Sequence, residues 1–180
     1  RRDFTINSIC IDKNEDYIDL LNGINDINNK VICVIGDSDK KIYDDPLRIL
    51  RAIRFASIYE FNLDDNLVSS ITKYKDRLKY ISFDRIKDEL NIIFRHNKAN
   101  NAFKLIDDLK LGKTLKISHK NMIVDCNNYI GVWAQVLYSD DYNFFKKEKN
   151  EINVIRKIIR KGYIDDYILY KYDFNIIKTS

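Results

Sequence analysis

One proline and five glycines in 180 residues leave this chain few places to turn sharply. That scarcity argues against a loop-rich fold and for long helices. The proline, Pro46, suits the first position of a helix, where its missing N–H costs nothing. The helix it opens is predicted to run to about Ile58. The run Asp44-Asp45-Pro46-Leu47-Arg48-Ile49-Leu50-Arg51-Ala52-Ile53-Arg54-Phe55 puts two adjacent carboxylates and three arginines, spaced three residues apart, on its first turns. Such a cluster is costly to assemble without a ligand or a structural partner.

The apolar pattern changes period along the chain. Phe4 to Ile11 has apolar residues at 4, 6 and 9 to 11 and reads as a strand, half-buried at first. Tyr17 to Leu21 reads as a second strand, Asn22 to Asp26 as a turn, and Lys30 to Gly36 as a third strand closed by Gly36. After Gly36 the period turns helical. Helices are predicted from Asp64 to about Lys75, from an N-cap at Ser82 with Ile86, Leu90 and Ile93 as the apolar stripe, and over Ala99 to Leu109. Beyond Lys110 the pattern weakens until a helix near 148–161, marked by Ile152, Ile155 and Ile159, with Tyr163 to Tyr172 as a further helix. The fold class is α+β, predominantly α: a small β portion followed by an all-helical body.

Other features bound the chemistry. A net charge of +4 permits nucleic acid as a partner without requiring it. No apolar run approaches the roughly 20 residues of a membrane span, and no signal peptide is visible. The three cysteines, Cys10, Cys33 and Cys126, are far apart and odd in number, which fits reduced thiols in a cytosol-like compartment. His96 and His119 are far apart in sequence and neither sits in an adjacent His-Asp pair, so both read as structural or exposed.

Asp45 and Arg48 form a carboxylate that only accepts hydrogen bonds and a guanidinium that only donates them. Cytosine and adenine each present an exocyclic amine donor beside a ring acceptor, and both complement that pair. Uracil and guanine place a carbonyl where the amine would be and a ring N–H against the guanidinium. If the pair reads a base, it accepts C and A and rejects U and G. Steps of three residues turn about 300° around a helix, so Arg48, Arg51 and Arg54 drift only about 60° each and can face one cleft. Arginine suits phosphate because its planar fork binds bidentately. The competing reading makes Asp45 a helix N-cap and pairs the arginines with Asp44, Glu60 or carboxylates on neighbouring helices. Arg1-Arg2-Asp3 entering a strand can likewise serve a triphosphate, a ribose or a metal, or be a solvated terminal tripeptide.

Order and spacing add a resemblance. Arg1-Arg2-Asp3-Phe4-Thr5-Ile6-Asn7-Ser8 resembles motif B of the class II tRNA nucleotidyltransferase (CCA-adding enzyme) and bacterial poly(A) polymerase family. Asp19 with Gly23 and Asp26-Ile27 resembles its D…G…DL segment, and Ile35-Gly36-Asp37 its IGdP turn. Asp44 to Ala56 is similar to its EDPxRxLRAxRFA motif. Ser82-Phe83-Asp84-Arg85-Ile86-Lys87-Asp88-Glu89-Leu90 is similar to its neck segment. Asp44 and Asp84 stand where Glu is usual. The resemblance covers residues 1–96, and the last 84 residues carry no assignable motif.

The resemblance implies the C-terminal part of a nucleotidyltransferase-type β head at 1–36, a nucleobase-reading helical neck at 37–96, and a helical body and tail at 97–180 that holds tRNA. It implies Asp45 and Arg48 as an amino-acid template for CTP and ATP. Arg2, Arg51 and Arg54 then match nucleotide contacts, and Asp3 a third active-site carboxylate or a ribose contact. Arg85 and Glu89, an i,i+4 pair, are expected to buttress the head–neck junction. The family's metal-binding Asp-x-Asp precedes motif B, so the Mg²⁺ ligands are expected upstream of Arg1 and none in this segment. Two-metal nucleotidyl transfer needs such carboxylates, so the chain alone is expected to be inactive. Lys146, Lys147, Arg156 and Arg160 on the basic helix fit either RNA phosphates or a solvated face. Trp133 with Tyr129 and Tyr138 reads as core. The implied activity is tRNA 3′-terminal CCA addition, in the cytoplasm or an organelle. The alternatives are poly(A) addition, CC or A addition alone, and a non-catalytic RNA-binding module.

Overall fold

The computed structural model describes residues 2–120, 123 and 128–161. Arg1, Cys126 and the helix predicted at Tyr163 to Tyr172 lie outside the described residues. The order of elements is a 3₁₀ turn at Thr5–Asn7, β1 Cys10–Ile11, β2 Tyr17–Ile18, α1 Gly23–Asn28, β3 Val31–Ile32, α2 Ser38–Asp44 and α3 Leu47–Tyr59. Then come β4 Asn62–Leu63, α4 Asp65–Tyr74, a second 3₁₀ turn at Lys75–Tyr80, α5 Phe83–Arg95 and α6 Ala99–Asp108. The last are α7 Gly112–Leu115, β5 Ile117–Ser118, α8 Tyr129–Gln135, β6 Leu137–Tyr138 and α9 Lys146–Lys161. The α+β, mostly helical class is as expected.

The strands are shorter than the pattern predicts. Instead of a strand over 4–11, Phe4 makes one bridge to Val34, and the chain coils at Thr5–Asn7 before β1. Side chains divert the backbone there: Asn7 Oδ1 accepts the Phe4 N–H and Ser8 Oγ donates to the Thr5 carbonyl at 2.6 Å. The second strand stops at Ile18, because the Asp19 carboxylate accepts the N–H groups of Leu21, Gly23 and Ile24. The expected turn at 22–26 is therefore a capped helix, α1. Those backbone donors, Ile24 first, hold the Asp19 carboxyl below its usual range.

α3 is the central helix. It buries Ile49, Leu50, Ala52 and Ile53 fully and packs on α5 and α6. Burying each large aliphatic there contributes roughly 1.5–3 kcal/mol. α8 packs on α9, and the one tryptophan, Trp133, is fully buried, donating its indole N–H to Asn91 Oδ1 at 2.7 Å. The core reading of Trp133 is correct. No described helix is long and apolar enough to cross a membrane.

Candidate nucleotide site

Pro46 does more than open a helix. A residue before proline is biased away from the α region. Asp45 adopts φ −141°, ψ 91°, so α2 ends at Asp44 and α3 begins anew at Leu47. The two carboxylates are thus not on the first turn of one helix: Asp44 closes α2 and Asp45 sits in the break. The helix α2 itself was missed, although Asp37 after Gly36 is an N-cap signal and accepts the Lys40 N–H at 3.1 Å. Asp45 Oδ1 accepts the Leu47 N–H at 3.3 Å, which retains part of the capping role.

Asp3 is delivered to this break by backbone bonds. Ile35 N–H donates to the Asp3 carbonyl and Thr5 N–H to the Cys33 carbonyl, each at 3.0 Å. Phe4, fully buried, meets Phe55 of α3 edge-on at 5.4 Å. The Asp3 carboxylate, itself buried, receives Arg48 Nε at 3.0 Å and lies 2.7 Å from Arg51 Nη1. Arg48 also donates through Nη1 to the Lys41 carbonyl at 2.8 Å. One helix turn on, Arg54 Nη1 lies 2.9 Å from Glu89 Oε2 of α5, with its guanidinium 4.8 Å from the Phe55 ring. Burial raises the Glu89 carboxyl above its usual range, with Arg54 and then Arg51 opposing.

Two expectations change. Glu89 pairs with Arg54 and not with Arg85. A shared helix face leaves Arg85 exposed, and it reaches Asp45 Oδ1 at 3.9 Å instead. The three arginines are held by carboxylates on neighbouring elements, namely Asp3 and Glu89, and not by Asp44 or Glu60. On α9, Arg156 donates to the Ala134 and Val136 carbonyls and lies 4.8 Å from the Tyr138 ring, so it braces the α8–β6 corner. Lys146, Lys147 and Arg160 are exposed. His119 lies 3.1 Å from Asp107, a structural contact.

The D…G…D segment holds the Asp3 region in place. A Cβ on Gly23 would stand 2.3 Å from the Thr5 carbonyl oxygen, so only glycine lets α1 approach that closely. Asp26 then accepts the Thr5 hydroxyl at 2.5 Å.

Comparison with known proteins adds to this geometry. Residues 1–33 match the model described as the poly A polymerase head domain. Residues 60–119 match that of the probable RNA- and SrmB-binding site of polymerase A. The class is therefore a nucleotidyltransferase head running into a helical region. The CCA-adding enzyme of Lactobacillus helveticus is 36% identical over 113 residues, 63% of this chain and 28% of the relative. That of Staphylococcus epidermidis is 34% identical over 110 residues, 61% of this chain and 28% of the relative. The chain thus spans under a third of the length of these curated relatives. The Bacillus stearothermophilus CCA-adding enzyme in complex with CTP superimposes with a TM-score of 0.79 at 18% identity, over 99% of this chain and 51% of that one. The Thermotoga maritima CCA-adding enzyme complexed with tRNA gives 0.67 at 22% identity, over 89% and 47%. The chain belongs to the poly(A) polymerase and CCA-adding enzyme family.

Proposed function

We propose that this chain carries the nucleobase-reading part of an enzyme that adds CCA to tRNA 3′ ends from CTP and ATP. One observation carries the reading: the side chains of Asp45 and Arg48 flank the α2–α3 break and are held by other groups, not by each other. Among the described residues no ion pair joins them. The bonds of Asp45 run through Oδ1, which leaves Oδ2 to accept an amine. Those of Arg48 run through Nε and Nη1, which leaves Nη2 to donate to a ring nitrogen. With Oδ2 and Nη2 left over, the pair matches the amine–acceptor edge shared by C and A. A pair bonded to itself would have no such capacity.

Arg2, Arg51 and Arg54 are the triphosphate ligands in this reading. Asp3 acts through Arg48 as a positioning residue, and Arg85 lies 3.9 Å from Asp45 Oδ1. The proposed domains are the head at 1–36, the neck at 37–96 and the body and tail from 97, with Lys146, Lys147 and Arg160 offered to RNA phosphates and the cytoplasm or an organelle as the place of action.

The described residues do not fit a Mg²⁺ site. Asp3 has two guanidinium groups against its carboxylate, and no group of three or more His, Cys, Asp or Glu side chains stands together among the described residues. We therefore expect the 180-residue chain to bind nucleotide without transferring it. Both family descriptions name poly(A) polymerase, which keeps poly(A) addition as the second reading. The test is equilibrium binding of the four ribonucleoside triphosphates. CTP and ATP are expected to bind roughly tenfold or more tightly than UTP and GTP. Equal affinity for all four removes the base-reading function.

A further inference from the structure

Three elements bring aromatic and cationic side chains into one continuous ladder. Tyr74, at the end of α4, meets Tyr43 of α2 edge-on at 5.6 Å. The Arg77 guanidinium, from the second 3₁₀ turn, lies 3.8 Å from the centroid of the Tyr43 ring and 5.8 Å from that of Tyr80. Arg77 Nε donates to the Tyr43 carbonyl at 3.1 Å, which holds the guanidinium over that ring. Lys79 brings its ammonium 5.0 Å from the Tyr80 ring. The ladder is not core: Tyr80 is 70% exposed and Tyr43 49%. Among the described residues neither Arg77 nor Lys79 takes part in an ion pair, whereas Lys73, over the Tyr74 ring, is held by Asp39 at 2.5 Å.

We propose that this ladder is a stacking platform for an unpaired base of an RNA strand, with Arg77 and Lys79 beside the strand's phosphates. Flat π-faces with a fixed guanidinium bind single strands in a sequence-tolerant way, and a duplex hides the faces they need. Asp44 and Asp76 flank the ladder in sequence, so stacking carries the affinity more than net charge does. Tyr43 precedes Asp45 by two residues, and Tyr80 precedes Arg85 by five. Both ends of the ladder therefore run on in sequence to the Asp45–Arg85 pair. RNA as the ligand class rests on the function proposed above.

The test is fluorescence anisotropy of a labelled, unstructured RNA of about eight nucleotides against the 180-residue chain, with a blunt duplex of the same length alongside. Tyr80→Ala, at so exposed a position, leaves the fold intact. It is expected to weaken single-strand binding about tenfold and leave duplex binding unchanged, while Tyr80→Phe keeps wild-type affinity. Single-strand binding by Tyr80→Ala within about twofold of wild type overturns the proposal, as does an equal loss for the duplex. CTP binding by the same variants separates this proposal from the base-reading one. Lost strand binding with CTP preference intact supports the ladder as a site of its own. Lost CTP preference in the wild-type chain, with strand binding intact, strikes the base-reading proposal and leaves the ladder standing.

Discussion

Replacing Asp3 by asparagine removes a charge and almost no volume, so it isolates what the carboxylate does. The side chain is 6% exposed, with Arg48 Nε at 3.0 Å and Arg51 Nη1 at 2.7 Å. At an effective dielectric of about 20, unit charges about 4 Å apart attract by about 4 kcal/mol, and the desolvation of both ions offsets much of that. The two arginines then fare differently. The Arg51 side chain is 32% exposed and rehydrates, whereas that of Arg48 is 9% exposed and keeps only neutral acceptors, the Lys41 carbonyl and the asparagine's amide oxygen. The loss is set by the stranded Arg48 and lies near the low end for breaking a buried pair, about 3 kcal/mol. In a chain of this length that lowers Tm by about 6–12 °C, read by calorimetry or circular dichroism. Arg48 also loses its anchor, so preference for CTP over UTP should fall while triphosphate affinity holds, because Arg51 is released toward the phosphates. A Tm within about 2 °C of wild type together with intact CTP preference would refute the reasoning.

Two further perturbations probe the supports. Gly23→Ala drives a methyl group against the Thr5 carbonyl, 2.3 Å from its ideal position, and should cost about 1–3 kcal/mol or more in urea unfolding. A neutral result would mean that α1 does not brace the Asp3 segment. Glu89 tests the pH sign. Its folded carboxyl is raised above 4.5, chiefly by burial, so the folded state holds its proton more readily than the unfolded state. Its contribution to stability is therefore greatest at acid pH and declines as pH rises from 4.5 through the raised folded value. Glu89→Gln removes that titration, so its urea midpoints should lose this slope. Parallel pH profiles for variant and wild type would count against a buried, titrating Glu89.

Much of the helical body was legible because its signals are local. The stripes at Leu67 and Ile71, at Ile86, Leu90 and Ile93, and at Ile152 and Ile155 recur at the helical period and are buried as expected. The N-terminal region was less legible because its backbone bonds are captured by side chains at Asn7, Ser8 and Asp19, an outcome that alternation of apolar residues does not encode. Within the site, the residue types were readable and their partners were not. Arg48, Arg51 and Arg54 stand where the three-residue spacing puts them, but which carboxylate each meets depends on Asp3 and Glu89 arriving from 45 residues before Arg48 and from α5. The Arg85–Glu89 expectation failed for the same reason: spacing allowed the contact, and the half-buried Arg54 was the better partner. The Lys41 carbonyl, which accepts the Asp45 N–H at 3.2 Å and also helps fix Arg48, was invisible in sequence because any residue supplies a carbonyl.

The central claim is that Asp45 chooses the base and Arg51 holds the triphosphate. The most direct measurement is the ratio of CTP to UTP affinity, by calorimetric titration, in wild type, Asp45→Ala and Arg51→Ala. The account predicts that Asp45→Ala brings the ratio close to one with UTP affinity little changed, and that Arg51→Ala weakens both nucleotides together and preserves the ratio. An equal loss for CTP and UTP in Asp45→Ala would contradict it.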